Sequence, residues 1–165
     1  MSTVFTPQER RERIEQIRRF PAELEAAIQG LTDEQLTTRY DPTEWSVAQN
    51  VHHLVDSHMN GYIRMHLLLT EDHATVRPYN QDAWAELPDA KIAFLDDSLL
   101  ILRGLHARWS RFLDYLSDAD FRRVGKHPDI EGDYTIDDIL DIYSRHGTGH
   151  IEQLGRQLAA GGFKR

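Results

Sequence analysis

Two histidines near the carboxyl end of the chain have the spacing of a metal-binding pair. His146 and His150 stand four residues apart in the stretch DIYSRHGTGHIEQL. If this stretch is helical, side chains four residues apart lie one above the other and can bind a single ion from one face. The alternative is a pair of hydrogen-bonded histidines at the edge of a core, because two ligands do not by themselves make a metal site.

The residues between these histidines argue against one class of metalloenzyme. In the zinc-protease motif a glutamate follows the first histidine and acts as general base, whereas Gly147, Thr148 and Gly149 occupy the interval here. A glycine inside a helix costs about 1 kcal/mol relative to alanine. The helical wheel directs Gly147 into the apolar interior, which predicts close packing of a neighbouring helix. It directs Gly149 away from the interior and leaves that glycine without an explanation.

A third ligand has to come from elsewhere, and the segment NVHHLVDSHMN offers His52, His53 and His58. Adjacent residues on a helix point about 100° apart, so at most one of His52 and His53 shares the site. The apolar stripe of the segment favours His58. His53 shares its face with three polar side chains that form either a solvated surface or the wall of a cleft: Asn50, Ser57 and Asn60. The spacing therefore leaves His53 and His58 as alternatives.

The composition limits the chemistry and the partners. The chain has 165 residues and no cysteine, which excludes disulfides, thiolate ligands and cysteine nucleophiles, so a metal has to be held by His, Asp or Glu. The net charge of −8 opposes binding to nucleic acid, because that affinity depends on cations that neutralise phosphates. No apolar run approaches the roughly 20 residues of a membrane span, and the amino terminus does not resemble a signal peptide. We therefore expect a cytoplasmic protein without a membrane or nucleic-acid partner.

Four long amphipathic segments predict the helices that position the histidines: residues 7–30, 47–69, 90–116 and 136–160. Capping boxes begin the first and second of them at Thr6 and Ser46, and Thr135 caps the fourth. We expect a kink or break near Phe20, because Pro21 lacks a backbone donor within the first segment. Since we find no convincing strand and no break in composition, we predict a single all-α domain over residues 1–165, a four-helix bundle.

Two long connections leave the order of the helices open, and the first has the composition of a functional loop. Residues 70–89 contain turn residues, two prolines and two aromatics without a period. Arg77 suits a carboxylate, whereas Tyr79 and Trp84 suit apolar groups, so this loop could close a metal cleft and hold an anionic substrate. Asn60 and Tyr143 share helical faces with the candidate ligands and join this set. The alternative is that Tyr79 and Trp84 only pin the loop to the bundle.

Several motifs resemble a known family. The segments WSVAQNVHHLVDSHMNGYIRMHLLLTED, RPYNQDAWAEL, LHARW, HPD and YSRHGTGH follow one another as in the DinB-like superfamily, and most closely as in its YfiT branch. The resemblance covers residues 40–158 and implies a four-helix bundle, a homodimer and one divalent metal ion held by three histidines. By position these ligands are His53, His146 and His150, so the resemblance favours His53 over His58. Imidazole ligands accept several ions, of which we expect zinc or nickel.

Three neutral imidazoles leave an open coordination position, as catalytic sites do. An ion in such a site can lower the pKa of bound water to about 7, or deprotonate a substrate thiol. The YfiT branch is described as metal-dependent hydrolases, and similar members transfer bacillithiol or related low-molecular-weight thiols to electrophiles. Hydrolysis needs a general base that the helix motif lacks, with Asp56, Asp138 and Asp141 as candidates, so we rank thiol transfer slightly ahead. The third alternative is a non-catalytic helical binding or dimerisation module.

Overall fold

A computed structural model describes residues 3–163. In chain order the elements are α1 (Pro7–Ile28), α2 (Asp33–Thr37), α3 (Val47–Thr70), α4 (Gln81–Ala85), a 3-10 turn (Pro88–Lys91), α5 (Asp96–Asp114), α6 (Asp118–Phe121), β1 (Val124–Gly125), β2 (Tyr134–Thr135) and α7 (Ile136–Ala160). The four long helices α1, α3, α5 and α7 form the bundle, which confirms the predicted fold. None of the described helices is both long and apolar enough to cross a membrane.

The capping signals place the starts of three long helices correctly. The side chains of Thr6, Ser46 and Thr135 each accept the backbone N–H three residues later, and each capping box is complete. The predicted start of the third helix at residue 90 is wrong, because that stretch forms the 3-10 turn and α5 begins at Asp96. The expectation of no strand is also wrong, since β1 pairs with β2 in a short antiparallel ladder.

The long helices do not follow one another around the bundle. α1 and α3 each pack against both α5 and α7, so α1 lies across the bundle from α3. Side-chain contacts along the helices show that α1 and α7 run in one direction and α3 and α5 in the other. The connection from α3 to α5 therefore crosses from one end of the bundle to the other. This is the order of helices that the sequence left open.

Helix α1 passes through Pro21 without the predicted break. Pro21 has no backbone N–H, so the carbonyl of Ile17, four residues earlier, lacks its usual partner within the helix. His106 of α5 donates its Nδ1–H to this carbonyl at 2.6 Å. That contact satisfies a buried acceptor and offsets part of the roughly 3 kcal/mol that proline costs in a helix interior.

A layer of histidines separates two apolar clusters inside the bundle. One cluster includes Ile17, Met65, Trp109 and Tyr143, and the other includes Phe20, Leu54, Leu102 and Leu154. On their helices, His58, His106 and His146 lie between residues of the two clusters, and hydrogen bonds join the three rings. Buried polar groups are costly unless each has a partner, so an apolar layer would serve packing equally well. The position of the histidines therefore points to a role beyond packing.

Candidate metal centre

His53 of α3 comes together with His146 and His150 of α7. One ring nitrogen of each lies within 4.8 Å of the other two. The Nε2 atoms of His146 and His150 are 3.2 Å apart. These are the three residues that the resemblance selects, whereas His58, which the apolar stripe favours, lies behind His146 and contacts its Nδ1.

Asn50 fixes the orientation and the tautomer of His150. The amide nitrogen of Asn50 donates to the carbonyls of Ser46 and Trp45, so its oxygen faces His150. His150 donates its Nδ1–H to this oxygen at 2.7 Å. Since a neutral imidazole carries a single N–H, the Nε2 atom of His150 keeps a free lone pair. Asn50 therefore acts as the second-layer partner that metal-binding histidines usually have.

The three rings fit a divalent ion. The Nε2 atom of His53 is buried without a hydrogen-bond partner, which is costly for a polar atom unless another group binds it. Two imidazole nitrogens on a tetrahedral ion, each at about 2.0–2.1 Å, lie about 3.3 Å apart. The observed separation of 3.2 Å between the Nε2 atoms of His146 and His150 agrees with this value. The donor set and its spacing are thus suited to zinc or a similar ion.

Burial keeps the three imidazoles neutral at pH 7. Removal from water, together with the neighbouring His150, lowers the pKa of His53 and His146 to about 3. Removal from water also lowers the pKa of His150 to about 4, against an opposing hydrogen bond with Gln153. Because metal ions bind the neutral form of histidine, the rings are ready to ligate throughout the physiological pH range.

Trp45 and Gln153 complete one side of the site, and the sequence did not point to Trp45. The Trp45 ring lies 4.7 Å from that of His53 and is nearly parallel to that of His150 at 6.4 Å. Gln153, one helical turn after His150, lies close enough to that ring to oppose the lowering of its pKa. Both line a pocket of about 250 Å³, with Thr43, Glu44, Gln81 and Asp82. The pocket adjoins the histidines through Trp45 and Gln153, and its volume lies just below the range of about 300–1,000 Å³ that is usual for small-molecule sites.

Two of the predicted substrate residues lie near the histidines. The ring of Tyr143 is 5.7 Å from that of His146, and the Tyr79 phenol is buried close to Ser57 and Tyr143. Burial raises the pKa of Tyr79 to about 12 and also raises that of Tyr143. Both phenols therefore stay protonated at neutral pH and can donate hydrogen bonds to a substrate.

The other predicted substrate residues make contacts elsewhere. The Asn60 amide donates to the carbonyl of Asp56 within α3. Arg77 is exposed, and its backbone carbonyl accepts a hydrogen bond from Arg64. Trp84 is 40% exposed and packs on Tyr79 at 4.6 Å. These contacts agree with the alternative in which the aromatic residues pin the loop.

The connection after α3 is attached to the rest of the fold by its backbone. Val76 donates its N–H to the carbonyl of Lys126, and Lys126 donates to the carbonyl of Ala74. Gln49 of α3 donates its side-chain amide to the carbonyl of Ala85 at 2.7 Å. The loop is therefore held in place at two points, before and after Tyr79.

None of the three candidate aspartate bases is hydrogen-bonded to the candidate ligands. Asp138 belongs to the capping box of α7, and Asp141 pairs with Arg145. Asp56 lines a pocket of about 370 Å³ that Asp89 also lines. The rings of the candidate ligands hydrogen-bond instead to the amide of Asn50 and to His58.

We expect Asp56→Asn to stabilise the protein at neutral pH. Burial, reinforced by the charge of Asp89, raises the pKa of Asp56 to about 6, above the value of about 3.9 in an unfolded chain. The unfolded chain loses this proton first, so stability falls as the pH rises from about 4 to above 6. Because the carboxyl is partly exposed, we expect a gain of about 1 kcal/mol, or about 2–4 °C in Tm.

Thermal unfolding at pH 7.5 and at pH 4 checks this expectation. The Tm gain of Asp56→Asn should be present at pH 7.5 and nearly absent at pH 4, where the folded protein already carries the protonated carboxyl. Asp72→Asn removes an exposed carboxylate and serves as the control, with little change at either pH. An equal gain for Asp56→Asn at both pH values would contradict the assignment.

Comparisons with known proteins identify the family. The family model of the DinB superfamily matches residues 16–154. YfiT from Bacillus subtilis, named a proposed metal-dependent hydrolase, is 43% identical over 148 residues, which cover 88% of this chain and 83% of that protein. A Geobacillus kaustophilus protein with the same functional description is 40% identical over 150 residues, which cover 91% of this chain and 84% of that protein.

A solved structure supports the same family. The structure of Bacillus subtilis YfiT, described as "a probable metal-dependent hydrolase with an unusual four-helix bundle topology", matches with a TM-score of 0.92 at 38% identity. The match covers 99% of this chain and 94% of that one. The chain described here therefore belongs to the DinB superfamily and is similar to the YfiT proteins.

Proposed function

We propose that this protein is a metal-dependent enzyme in which His53, His146 and His150 hold one divalent ion with an open coordination position. The observation that carries the proposal is the convergence of three ring nitrogens, one of them buried without a partner, beside a pocket. The functional descriptions of the relatives support a metal-dependent reaction. Zinc and nickel both suit imidazole ligands, and we propose one of these two.

When bound, the ion supplies Lewis acidity, which lowers the pKa of a water or thiol at the open position. The protein orients the ligand rings and shields one side of them from water. Asn50 holds the ring of His150 in place, and Trp45 covers one side of the histidines. Tyr79 and Tyr143 stay protonated and donate hydrogen bonds to an anionic substrate. Asn60, Arg77 and Trp84 remain part of our proposed substrate set.

Thiol transfer is the reaction that we propose first. The substrates are a low-molecular-weight thiol of the bacillithiol kind and a small electrophile, to which the thiolate sulfur forms a bond as the leaving group departs. A thiol that the ion has acidified needs no separate general base. None of the three aspartates considered as bases hydrogen-bonds to the candidate ligands, which supports this reaction, whereas Glu44 and Asp82 in the lining of the pocket are the carboxylates that hydrolysis would have to use. Hydrolysis at the same site is the second candidate, and the descriptions of the relatives favour it.

A conjugation assay separates these reactions. We expect the zinc- or nickel-loaded protein to couple bacillithiol to monobromobimane faster than the metal-free protein does, and the His150→Ala variant to match the metal-free rate. The absence of metal-dependent conjugation with bacillithiol, glutathione, cysteine or coenzyme A would exclude thiol transfer. Metal-dependent cleavage of ester or amide substrates by the same preparation would then favour the hydrolase.

We also propose a cytoplasmic homodimer. The first half of α5 exposes two neighbouring apolar side chains, Leu100 at 62% and Ile101 at 44%. Exposed apolar surface of this kind supports association with a second copy of the chain. Sedimentation equilibrium of the wild type and of Leu100→Glu tests the proposal, with a dimer expected only for the wild type.

A further inference from the structure

A chain of hydrogen bonds runs from the backbone of α1 to His146 through two buried histidines. It starts at the carbonyl of Ile17, which Pro21 leaves without a helical partner. His106 Nδ1 lies 2.6 Å from this oxygen, and His58 Nδ1 lies 2.7 Å from His106 Nε2. His58 Nε2 in turn lies 3.0 Å from His146 Nδ1. Each ring uses both of its nitrogens in the chain except His146, whose Nε2 faces the candidate metal position.

The carbonyl at the start sets the direction of the whole chain. A carbonyl oxygen only accepts, so His106 carries its proton on Nδ1, and its neutral ring has no proton on Nε2. His58 then has to donate from Nδ1 to His106 Nε2, which leaves its own Nε2 as an acceptor. His146 consequently donates its Nδ1–H to His58. The Nε2 atom of His146 is left with a free lone pair.

The opposite arrangement conflicts with the same contacts. Protons on the Nε2 atoms would place a lone pair of His106 against that of the Ile17 carbonyl at 2.6 Å. His58 is 0% exposed and His106 is 1% exposed, so solvent cannot compensate for this repulsion. The two rings bond to each other between α3 and α5, and their other partners lie on α1 and α7, so contacts with four helices fix both ring planes.

The chain has a direct consequence at the candidate metal position. Asn50 leaves a free lone pair on Nε2 of His150, and the histidine chain leaves one on Nε2 of His146. The two Nε2 atoms are 3.2 Å apart, and with these two tautomers their lone pairs face each other with no proton between them. Two facing lone pairs repel each other unless a cation lies between them. Both histidines therefore already have the tautomer that binds a metal ion before the ion arrives.

We propose that His106 and His58 are positioning residues for the metal site. Pro21 leaves the Ile17 carbonyl free, and the hydrogen bonds from this carbonyl through His106 and His58 hold His146 in its Nδ1–H tautomer. The proposal rests on the proposed metal function, because it assigns His146 as a ligand. Neither His106 nor His58 touches the ion. Partners of this kind around metal-binding histidines typically change metal affinity by about 10–100-fold when removed. Pro21 belongs to the same arrangement, since without it the Ile17 carbonyl would accept from the helix.

The first test measures the tautomers directly in the metal-free wild type. Long-range proton–nitrogen NMR of protein labelled with nitrogen-15 in histidine distinguishes a proton on Nδ1 from one on Nε2. We expect His58, His106 and His146 each to show the Nδ1–H tautomer alone. A proton on Nε2 of His146, or a mixture of tautomers at His58, would overturn the proposal. This measurement needs no variant.

The second test compares two substitutions of the middle ring. The carboxamide of His58→Gln can donate to His106 and accept from His146, whereas His58→Leu can do neither. We expect His58→Gln to keep the Nδ1–H tautomer of His146 and a zinc affinity within a few-fold of the wild type. We expect His58→Leu to lose the single tautomer and to bind zinc about 10–100-fold more weakly in competition with a chromogenic chelator.

Controls separate positioning from packing. His66→Leu removes another α3 histidine that hydrogen-bonds to a backbone carbonyl, that of Tyr62, and it should leave zinc affinity unchanged. Equal zinc affinities for His58→Leu and His58→Gln, with both variants folded by circular dichroism, would contradict the proposal. If neither the wild type nor any variant binds zinc, the metal function fails, while the tautomers of the metal-free protein still decide whether the chain exists.

Discussion

Untagged wild-type protein should carry about one divalent ion per chain, and His53→Ala and His150→Ala should carry almost none. Each substitution removes one of three imidazoles and leaves a two-ligand site, which does not retain an ion through purification. Elemental analysis for zinc, nickel, iron, manganese and copper measures the content directly. A large loss from a single side chain is expected because these nitrogens lie within 4.8 Å of one another and share one position.

The neighbouring histidine provides a matched control. His52 precedes His53 on α3, but its ring contacts Ser98 of α5 at 2.8 Å and points away from the candidate ligands. His52→Ala should therefore keep the full metal content. Free zinc at 100 times its Kd stabilises a folded protein by about 2.7 kcal/mol, which is about 5–10 °C in Tm for a chain of this size. Equally low metal content in all proteins, with no Tm response to zinc, would leave the non-catalytic helical module as the better interpretation.

The helix starts could be predicted because their signals are local. A capping box lies within four consecutive residues, and those at Thr6, Ser46 and Thr135 are all present. The start of α5 could not be predicted in this way, since Leu95 precedes it without a side-chain cap. The short helices α2, α4 and α6 contain four or five residues each, which is too few for a hydrophobic period to appear.

The candidate site could be predicted in part. The spacing of His146 and His150 on a helix was enough to pair them, and the structure confirms that they face each other. Periodicity could not choose between His53 and His58, because it reports burial and both side chains are buried, at 4% and 0% exposure. Only the resemblance to a family placed His53 beside the pair.

Contacts between distant parts of the chain account for what the sequence did not reveal. Pro21 led us to expect a kink or break in α1. The residue that binds the carbonyl left free by this proline is His106, which lies 85 positions later on α5. The sequence contains no sign that these two helices are neighbours, because the long connections left their order open. Asn50 and Trp45 are similar cases, since their roles depend on α7 packing against α3.

Gly147→Ala should destabilise the protein and Gly149→Ala should stabilise it, although both replace a glycine in the same helix. A Cβ atom at position 147 would overlap the ring of Phe20 on α1. Overpacking of this kind costs about 1–3 kcal/mol and exceeds the gain in helix propensity. At position 149 a Cβ would meet nothing within 4 Å. The higher helix propensity of alanine should therefore raise the free energy of unfolding by about 0.5–1 kcal/mol. Gly147 thus has the close neighbour that the sequence predicted, which is Phe20, whereas packing does not explain why position 149 is a glycine.

Urea unfolding of the metal-free proteins measures both changes, and leucine at each position should give the same order with a larger loss at position 147. Phe20→Leu provides a second check, because a smaller side chain should relieve part of the Gly147→Ala loss but act additively with Gly149→Ala. Changes of the same sign for the two alanine variants would refute the packing argument.

The ring of Phe20 also lies 5.2 Å from those of His58 and His106. A side chain at position 147 should therefore weaken zinc binding as well as folding, because it displaces the ring against which the histidine chain is packed.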